Sequence, residues 1–422
     1  MNKYLILGNI YGVGGWQIYI EGRICHLLSQ GLKIYVISPV MNGEEIKLEY
    51  VRHIKVFPCD IVFRNPAIYT TSQQDRTIKE LLNFIDYQSD DKVLVESTSI
   101  YSSFWGEYLA ELTTGKNFSY ILNSHVMDVI GNNNTFIDFF RFKYAQKLVA
   151  GMTHLTLKEI LFQNQEVSDS ELFSFKAAGR NPLTSLNTLV SQTNMIEEIK
   201  KQGTIVVGYF GNLDKPHVIP LTKELIQYFS THKDHSFLFL TVGSSSKKKI
   251  EKKIKSIIKG QSNTETMNIG NLYPVPIQLF QLMDVCIGSW GSAKLAAQSG
   301  TKTIRLISDT TVVAQGVIGI TLRDNEYYNL PIGKENLFEY LNNILFSHIY
   351  DNIPKSKITE YSNYKLIQEK IDAFISPMFS SSNFDYFSIK KIGIKTKREI
   401  IMKICNIILG TKISNVLYKI LK

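Results

Sequence analysis

Cysteine is scarce in this sequence, and long apolar runs are missing. The four cysteines are widely scattered, mostly inside apolar segments, and no pair has the spacing of metal ligands: Cys25, Cys59, Cys286 and Cys405. This pattern indicates reduced core thiols in a cytoplasmic protein. No stretch reaches the roughly 18 uninterrupted apolar residues of a membrane span, and the apolar run that begins the sequence is too short for a signal peptide. We therefore expect neither a membrane-spanning nor a secreted, disulfide-stabilised protein.

Acidic residues are nearly absent from the end of the chain. The formal net charge of the whole sequence is +9, yet residues 390–422 contain nine basic side chains and one acidic side chain, Glu399. These 33 residues therefore carry nearly all of the excess charge, and the rest of the chain is close to neutral. Such a distribution argues against a nucleic-acid-binding surface across the fold.

Long low-complexity runs are also missing, and 422 residues with 44% hydrophobic content can bury the cores of two ordinary domains. A polar, weakly periodic segment around 168–202 marks the crossing between them. We place the first domain at residues 1–190, the second at residues 203–357 and a basic tail at residues 385–422. The lysine run within 247–259 is typical of a solvated helix face rather than a binding patch.

The first domain opens with a strand–loop–helix–strand pattern typical of parallel, doubly wound sheets. A strand is predicted at Tyr4–Leu7, a helix at 16–30 and a second strand at 32–38, and the loop between the first two ends in Gly14 and Gly15. The full dinucleotide fingerprint is missing, so a nicotinamide or flavin cofactor is not favoured. The two glycines would let a ligand approach the backbone closely.

Polar residues follow two predicted strands of the first domain. Glu96 ends the strand predicted at 93–96, and His125 and Asp128 follow the strand predicted at 120–123. Ligands of open α/β sheets bind beyond the carboxyl ends of the strands, so we expect these three side chains to face a cleft. A hydrogen-bonded structural role for His125 is the alternative.

The segment from Asp284 to Leu306 combines a strand, a glycine-rich turn, a helix and a second strand. The turn spans Gly288–Gly291, Ser292 is placed to cap the helix, and Gly300 stands where a left-handed helix terminator is needed. Amides at a helix N-terminus behind a tight glycine turn attract anions. The pattern indicates a phosphate site, with an ordinary strand–helix turn as the alternative.

Several weaker motifs occur in a defined order along both domains. The glycine loop and the strand-end histidine of the first domain are followed by Gly211 to Lys215, by Gly270-Asn-Leu and by Leu-Ala-Ala-Gln-Ser-Gly, which ends at Gly300. This order resembles the GT-B glycosyltransferases, particularly the large retaining family of bacterial polysaccharide enzymes, over residues 1–376. The resemblance implies an α/β fold of two Rossmann-like, doubly wound domains that face each other across a cleft. The helix at 358–376 would return to the first domain.

The resemblance also implies roles for individual residues. The second domain would bind a nucleotide-diphosphate sugar, with the diphosphate near the glycine turn and Lys215 and the base near residues 270–272. The implied donor-binding residues are Gly211, Lys215, Asn271, Leu272, Gly288, Ser289, Gly291, Ser292 and Leu295. The implied acceptor and catalytic residues are Gly14, Gly15 and Glu96 along the cleft, and His125 and Asp128 at the transferring sugar. Because a lysine and backbone amides would balance the charge of the leaving group, no metal ion or other cofactor is expected.

Three positions depart from the family pattern. Leu295 stands where the family has the second of two glutamates, a shorter loop leaves the first glutamate without a counterpart, and Asn212 replaces a common arginine. An active glycosyltransferase is favoured because Lys215, the glycine turn and His125 are all present. A catalytically inactive partner subunit and a nucleotide-sugar epimerase of the same fold are the alternatives.

The basic tail is amphipathic. Isoleucines recur at helical spacing over residues 400–408, apolar residues repeat over 413–421, and lysines lie off that face. This pattern favours adsorption of residues 390–422 to an anionic membrane, with packing on the body of the protein as the alternative. The sequence thus predicts a cytoplasmic glycosyltransferase, peripheral at the inner face of the plasma membrane, that acts on a lipid-linked glycan.

Overall fold

The chain divides into two units. A computed structural model describes residues 2–12, 14–40, 53–121, 134–151, 157–158, 161, 173–174, 183–245, 248–307, 310–322, 336–351, 364–380, 385–394 and 396–420. The first unit comprises Met1–Arg180 together with Tyr361–Lys422, and the second comprises Asn181–Glu360. The returning helix and the basic tail are therefore both part of the first unit.

The first unit is built on a six-stranded parallel sheet with the strand order β3-β2-β1-β4-β5-β6. Its elements up to the end of the sheet are β1 (Asn2–Leu7), α1 (Gly15–Ser29), β2 (Lys33–Ser38), β3 (Lys55–Pro58), α2 (Thr71–Phe84), β4 (Lys92–Ser97), α3 (Ile100–Leu112), β5 (Lys116–Ile121), α4 (Asn134–Ala145) and β6 (Val149–Gly151). After their first residue, β2, β4 and β5 are buried throughout. This matches the near-continuous apolar runs of strands covered on both faces.

Capping residues fix where two helices of the first unit begin. Thr70 and Ser99 each accept a hydrogen bond from the amide three residues further on, in capping boxes completed by Gln73 and Ser102. From the sequence we predict helices around 73–84 and 104–112, and these caps explain why α2 and α3 begin two and four residues earlier.

The second unit contains a six-stranded sheet with the order β10-β9-β8-β12-β13-β14, and a two-stranded sheet of β7 and β11. Its elements are β7 (Leu183–Thr184), α5 (Val190–Lys201), β8 (Ile205–Phe210), α6 (Val218–Thr231), β9 (Phe237–Val242), α7 (Lys248–Ile258), β10 (Thr264–Gly270), β11 (Val275–Pro276), α8 (Ile277–Gln281), β12 (Val285–Gly288), α9 (Trp290–Gln298), β13 (Thr303–Leu306), β14 (Ala314–Val317) and α10 (Leu337–Leu345). Five strands of the larger sheet are parallel, and only the edge strand β14 runs antiparallel to its neighbour.

The edge strand of the second unit differs from the sequence-based prediction. From the sequence we predict a strand at 319–322, but β14 precedes that segment at Ala314–Val317. Gly319 has a φ of 78°, and the amide of Ile320 donates to the Val317 carbonyl, so the predicted strand is instead a turn. Glycine with a positive φ interrupts an extended strand, which explains the error.

Two helices complete the first unit, α11 (Tyr364–Ser380) and α12 (Lys397–Ile420). Gln368 and Ile371 on α11 are fully buried. The helix α12 is interrupted at Gly410, whose φ of 74° and ψ of 167° are not helical. Within the described part of the chain, no helix is long and apolar enough to cross a membrane.

Candidate functional site

The carboxyl ends of β8 and β12 lie side by side, and the loops that follow them form the candidate site. Phe210 pairs with Gly288 where the two strands end. A Cβ atom added at Gly288 would lie 3.1 Å from the Phe210 carbonyl oxygen and 3.2 Å from the backbone of Ala293. Glycine therefore allows the turn before α9 to pass close to β8.

Lys215 connects the two loops. Its ammonium nitrogen donates to Ser289 Oγ at 2.5 Å, and Ser289 is fully buried in the position directly before α9. The prediction that Ser292 caps this helix is wrong, because α9 already begins at Trp290 and Ser292 lies in its first turn. The prediction for the other end is confirmed, since Gly300 has a φ of 95° and follows the last helical turn.

The electrostatics of the site favour an anion. Burial lowers the pKa of Lys215 to about 8, so its side chain is mostly charged at neutral pH. Burial, and then the nearby Lys215 charge, lower the pKa of His217 to about 4, so the imidazole is neutral there. The first turn of α9 adds amides without intrahelical acceptors and the positive end of the helix dipole. A phosphate group placed against this turn would meet a cation and amide donors.

Only one of the two ring nitrogens of His217 has a hydrogen-bond partner among the described residues. Its side chain has no exposed surface, and Nε2 lies 3.2 Å from Tyr209 Oη. Its Nδ1 has no hydrogen-bond partner among the described residues. The hydroxyl of Tyr209 in turn borders Gly211, where an added Cβ would lie 3.2 Å from it and 3.5 Å from Ser292 Oγ. The structure thus brings together Gly211, Lys215, Ser289 and Ser292, four of the residues for which the resemblance implies donor binding.

The other predicted donor contacts are spread along the same sheet. Asn271 and Leu272 are half-buried and follow β10, which lies three positions from β12 in the strand order. Gly291 is exposed in the first turn of α9. Leu295 is only 4% exposed and packs inward from α9, which differs from the expectation of a donor contact at this position.

The acceptor and catalytic residues predicted in the first unit differ in their positions in the structure. Gly14 directly precedes α1, and Gly15 is exposed as its first residue. The expectation that Glu96 faces an open cleft is wrong, because its carboxylate does not reach the surface. It is fully buried and accepts hydrogen bonds from Tyr4, from Tyr19 at 2.6 Å and from Arg23 at 3.0 Å. His125 and Asp128 lie outside the described residues.

Sequence reasoning missed three residues at or beside the turn. His217 was visible in the loop after β8 but was not singled out. Trp290 lies between the glycines of the turn with a φ of 53° and is 37% exposed. The Arg305 guanidinium lies 5.6 Å from the centroid of the Trp290 ring. Arg305 could have been found from strand pairing, because it is the partner of Gly288 on β13.

No metal centre is evident in the described ranges, where no group of three or more His, Cys, Asp and Glu side chains could hold an ion. What the site offers is a lysine, hydroxyl groups and helix amides. This set of donors suits a phosphate or diphosphate group.

Comparison with solved structures identifies the fold class as GT-B. The HepE protein of Anabaena, in a crystal structure with UDP and glucose, has a TM-score of 0.57 and 13% identity, over 89% of this chain and 99% of that one.

Two further solved structures have the same architecture. A glycosyltransferase from Rickettsia africae has a TM-score of 0.50 and 14% identity over 97% and 99% of the two chains. A Listeria monocytogenes protein assigned as a UDP-N-acetylglucosamine 2-epimerase has a TM-score of 0.52 and 11% identity over 91% and 99%. Neither a family model nor a curated protein sequence matches the chain.

Proposed function

We propose that the protein is a glycosyltransferase that takes a sugar from a nucleotide-diphosphate donor. The observation that carries this proposal is the contact of Lys215 with Ser289 at the N-terminus of α9. It places a partly desolvated cation beside helix amides at the carboxyl edge of a parallel sheet, where ligands of such sheets bind. The GT-B fold supports the proposal, since HepE was solved with UDP and glucose.

In the proposed reaction the acceptor hydroxyl attacks the anomeric carbon, the bond from this carbon to the diphosphate oxygen breaks, and the proton of the hydroxyl passes to the departing diphosphate. The leaving diphosphate gains negative charge as the bond lengthens. Lys215 and the amides of the turn would stabilise that charge, which lowers the barrier without a metal ion. His125 and Asp128 are proposed to act at the transferring sugar on the basis of their sequence positions alone.

The donor proposal is tested by thermal stabilisation with UDP, GDP, UDP-glucose, UDP-N-acetylglucosamine and GDP-mannose. A ligand present at 100 times its dissociation constant adds about 2.7 kcal/mol of stability, so the correct nucleotide gives a clear shift. Analysis of the reaction products separates the three interpretations. A transferred sugar supports a glycosyltransferase, a changed donor sugar an epimerase, and binding without turnover an inactive partner subunit. No shift with any nucleotide would refute the proposed site.

We also propose that the enzyme works at the cytoplasmic face of an anionic membrane on a lipid-linked or growing surface polysaccharide. The support comes from α12, whose isoleucine stripe is exposed: Ile400, Ile401, Ile404, Ile407, Ile408 and Ile413 each have half or more of their surface free. The exposed Lys390, Lys391, Lys397 and Lys403 lie on or near this helix. Apolar side chains flanked by lysines fit the boundary between acyl chains and anionic headgroups.

A further inference from the structure

Trp290 occupies a backbone conformation that would suit glycine better. Its φ of 53° lies in the left-handed region, which bulky side chains rarely adopt. The next residue is Gly291, and Gly288 lies two positions before it, so glycine is already used twice in the same turn. A residue held in an unfavourable backbone region often has a functional reason to be there.

Trp290 is partly exposed, and its ring lies against an arginine. It is 37% exposed although it adjoins the fully buried Ser289. The Arg305 guanidinium, on the buried strand β13, lies 5.6 Å from the ring centroid. A cation–π contact of this kind restrains the ring before any ligand arrives. An aromatic surface that is already ordered loses less conformational entropy on binding.

We propose that Trp290 is the surface against which the sugar ring of the nucleotide-sugar donor packs, and that it gives the site its preference for the sugar-bearing donor over the free nucleotide. This inference rests on the proposed function, because it takes the diphosphate to lie at Lys215 and Ser289.

The strand order favours the sugar over the base as the partner of Trp290. Along the sheet, Asn271 follows β10, Lys215 follows β8, and Trp290 follows β12 beside Arg305 on β13. Neighbouring strands are about 4.8 Å apart, so the end of β10, which precedes Asn271, lies three strand positions along the sheet edge from the end of β12, which precedes Trp290, with the end of β8 between them. If the base lies at the Asn271 end, the group on the other side of the diphosphate is the sugar.

The test compares Trp290→Gly and Trp290→Phe with the wild type. UDP-glucose, UDP-N-acetylglucosamine and GDP-mannose, with UDP and GDP, serve as probes in calorimetric titrations. For the nucleotide sugar that binds best, we expect Trp290→Gly to lower the affinity about tenfold, the effect of losing one aromatic contact. Its affinity for the matching free diphosphate should stay within about twofold. Trp290→Phe should retain most of the wild-type preference.

The unliganded variants provide a second measurement. Glycine relieves the strain of the positive φ, so Trp290→Gly should have a melting temperature equal to or above that of the wild type. Weaker sugar binding by an equally or more stable protein separates a binding role from a folding role.

Three outcomes would overturn the inference. An equal loss of affinity for the sugar donor and the free nucleoside diphosphate would mean that the ring contacts the base, or that it only maintains the conformation of the turn. Unchanged affinities would place it outside the site. A lower melting temperature of Trp290→Gly would make the ring a structural element. If the wild type binds none of the probes, the proposed function fails along with this inference, whereas loss of free-diphosphate binding in Lys215→Met supports the donor site independently of Trp290.

Discussion

Arg23 on α1 and Asp372 on α11 form an ion pair of 2.8 Å that joins two helices far apart in the sequence. The same guanidinium donates to the Glu96 carboxylate and to Gln368 Oε1, each at 3.0 Å. Neither Arg23 nor Glu96 has an exposed side chain. A single buried cation therefore links the returning helix α11 to the sheet strand β4, and this explains why Glu96 is not available at an open surface.

Replacing Arg23 should strongly destabilise the first unit. Arg23→Met leaves the Glu96 carboxylate buried without its counter-charge, which typically costs about 3–5 kcal/mol. Urea denaturation followed by circular dichroism measures the loss. Arg23→Met combined with Glu96→Gln should recover part of it, because the fully buried side chain at position 96 is then uncharged. Arg76→Met is the matched control, since Arg76 pairs with Glu80 at an exposed site and should cost no more than about 0.5 kcal/mol. Equal effects of Arg23→Met and the control would contradict this account.

Lys215→Met should reduce the stabilisation that the nucleotide donor gives. Loss of a charge-assisted contact to a diphosphate weakens binding by about 10- to 100-fold. In the wild type, affinity should also fall as the pH rises through about 8, because the unliganded lysine then loses its proton. Calorimetric titration with the best-binding nucleotide between pH 6.5 and 9.5 measures both effects. Lys223→Met on the exposed face of α6 is the control and should leave affinity unchanged. A pH-independent affinity would argue against Lys215 as the phosphate contact.

His217 should make the protein sensitive to mild acid. Its pKa of about 4 in the fold lies below the usual value of about 6.5, so the unfolded chain binds more protons between these two values. Stability must therefore fall as the pH is lowered from 6.5 to 4, by up to about 3 kcal/mol for this group. The melting temperatures of wild type and His217→Gln across this range measure the contribution. The melting temperature of the variant should depend less on pH. If the two curves of melting temperature against pH are parallel, protonation of His217 does not destabilise the fold.

Strand and helix positions were largely predictable because buried parallel strands have a strong apolar pattern. The parallel sheets, the turn at Gly288 and the terminator Gly300 all follow from local sequence. The burial of Glu96 was not predictable, because it depends on Tyr4, Tyr19 and Arg23, which lie up to 92 residues away. Likewise, the start of α9 at Trp290 required a positive φ at a tryptophan, and sequence statistics assign such positions to glycine.

The helix α12 of the basic tail has one buried face and one exposed face, so packing on the protein body and binding to a membrane are not mutually exclusive. Met402 and Asn406 are buried, and Asn406 Nδ2 donates to the Ile68 carbonyl at 2.9 Å. One side of α12 thus packs on the first unit, while the isoleucine stripe, as far as its side chains are described, stays exposed on the other. Deleting the tail would therefore uncover part of the core of the first unit. Substitutions within the exposed stripe avoid that problem.

Substitutions in the exposed stripe should weaken binding to anionic membranes without unfolding the protein. Ile404 and Ile408 are 51% and 71% exposed, so Ile404→Glu combined with Ile408→Glu should leave the melting temperature nearly unchanged. Each isoleucine lost from the acyl boundary costs about 1.5–3 kcal/mol when fully inserted. We therefore expect at least about a tenfold loss of binding to vesicles that contain phosphatidylglycerol.

Two controls test whether binding depends on the isoleucine stripe and on anionic lipid. Leu366 on α11 is 49% exposed outside the stripe, and Leu366→Glu should bind vesicles as the wild type does. Vesicles of phosphatidylcholine alone should bind the wild type more weakly, because each lysine near an anionic surface contributes about 1 kcal/mol. Cosedimentation with both vesicle types measures these differences. If the double variant binds as tightly as Leu366→Glu, the stripe does not contact the membrane, and its exposed isoleucines need a different partner.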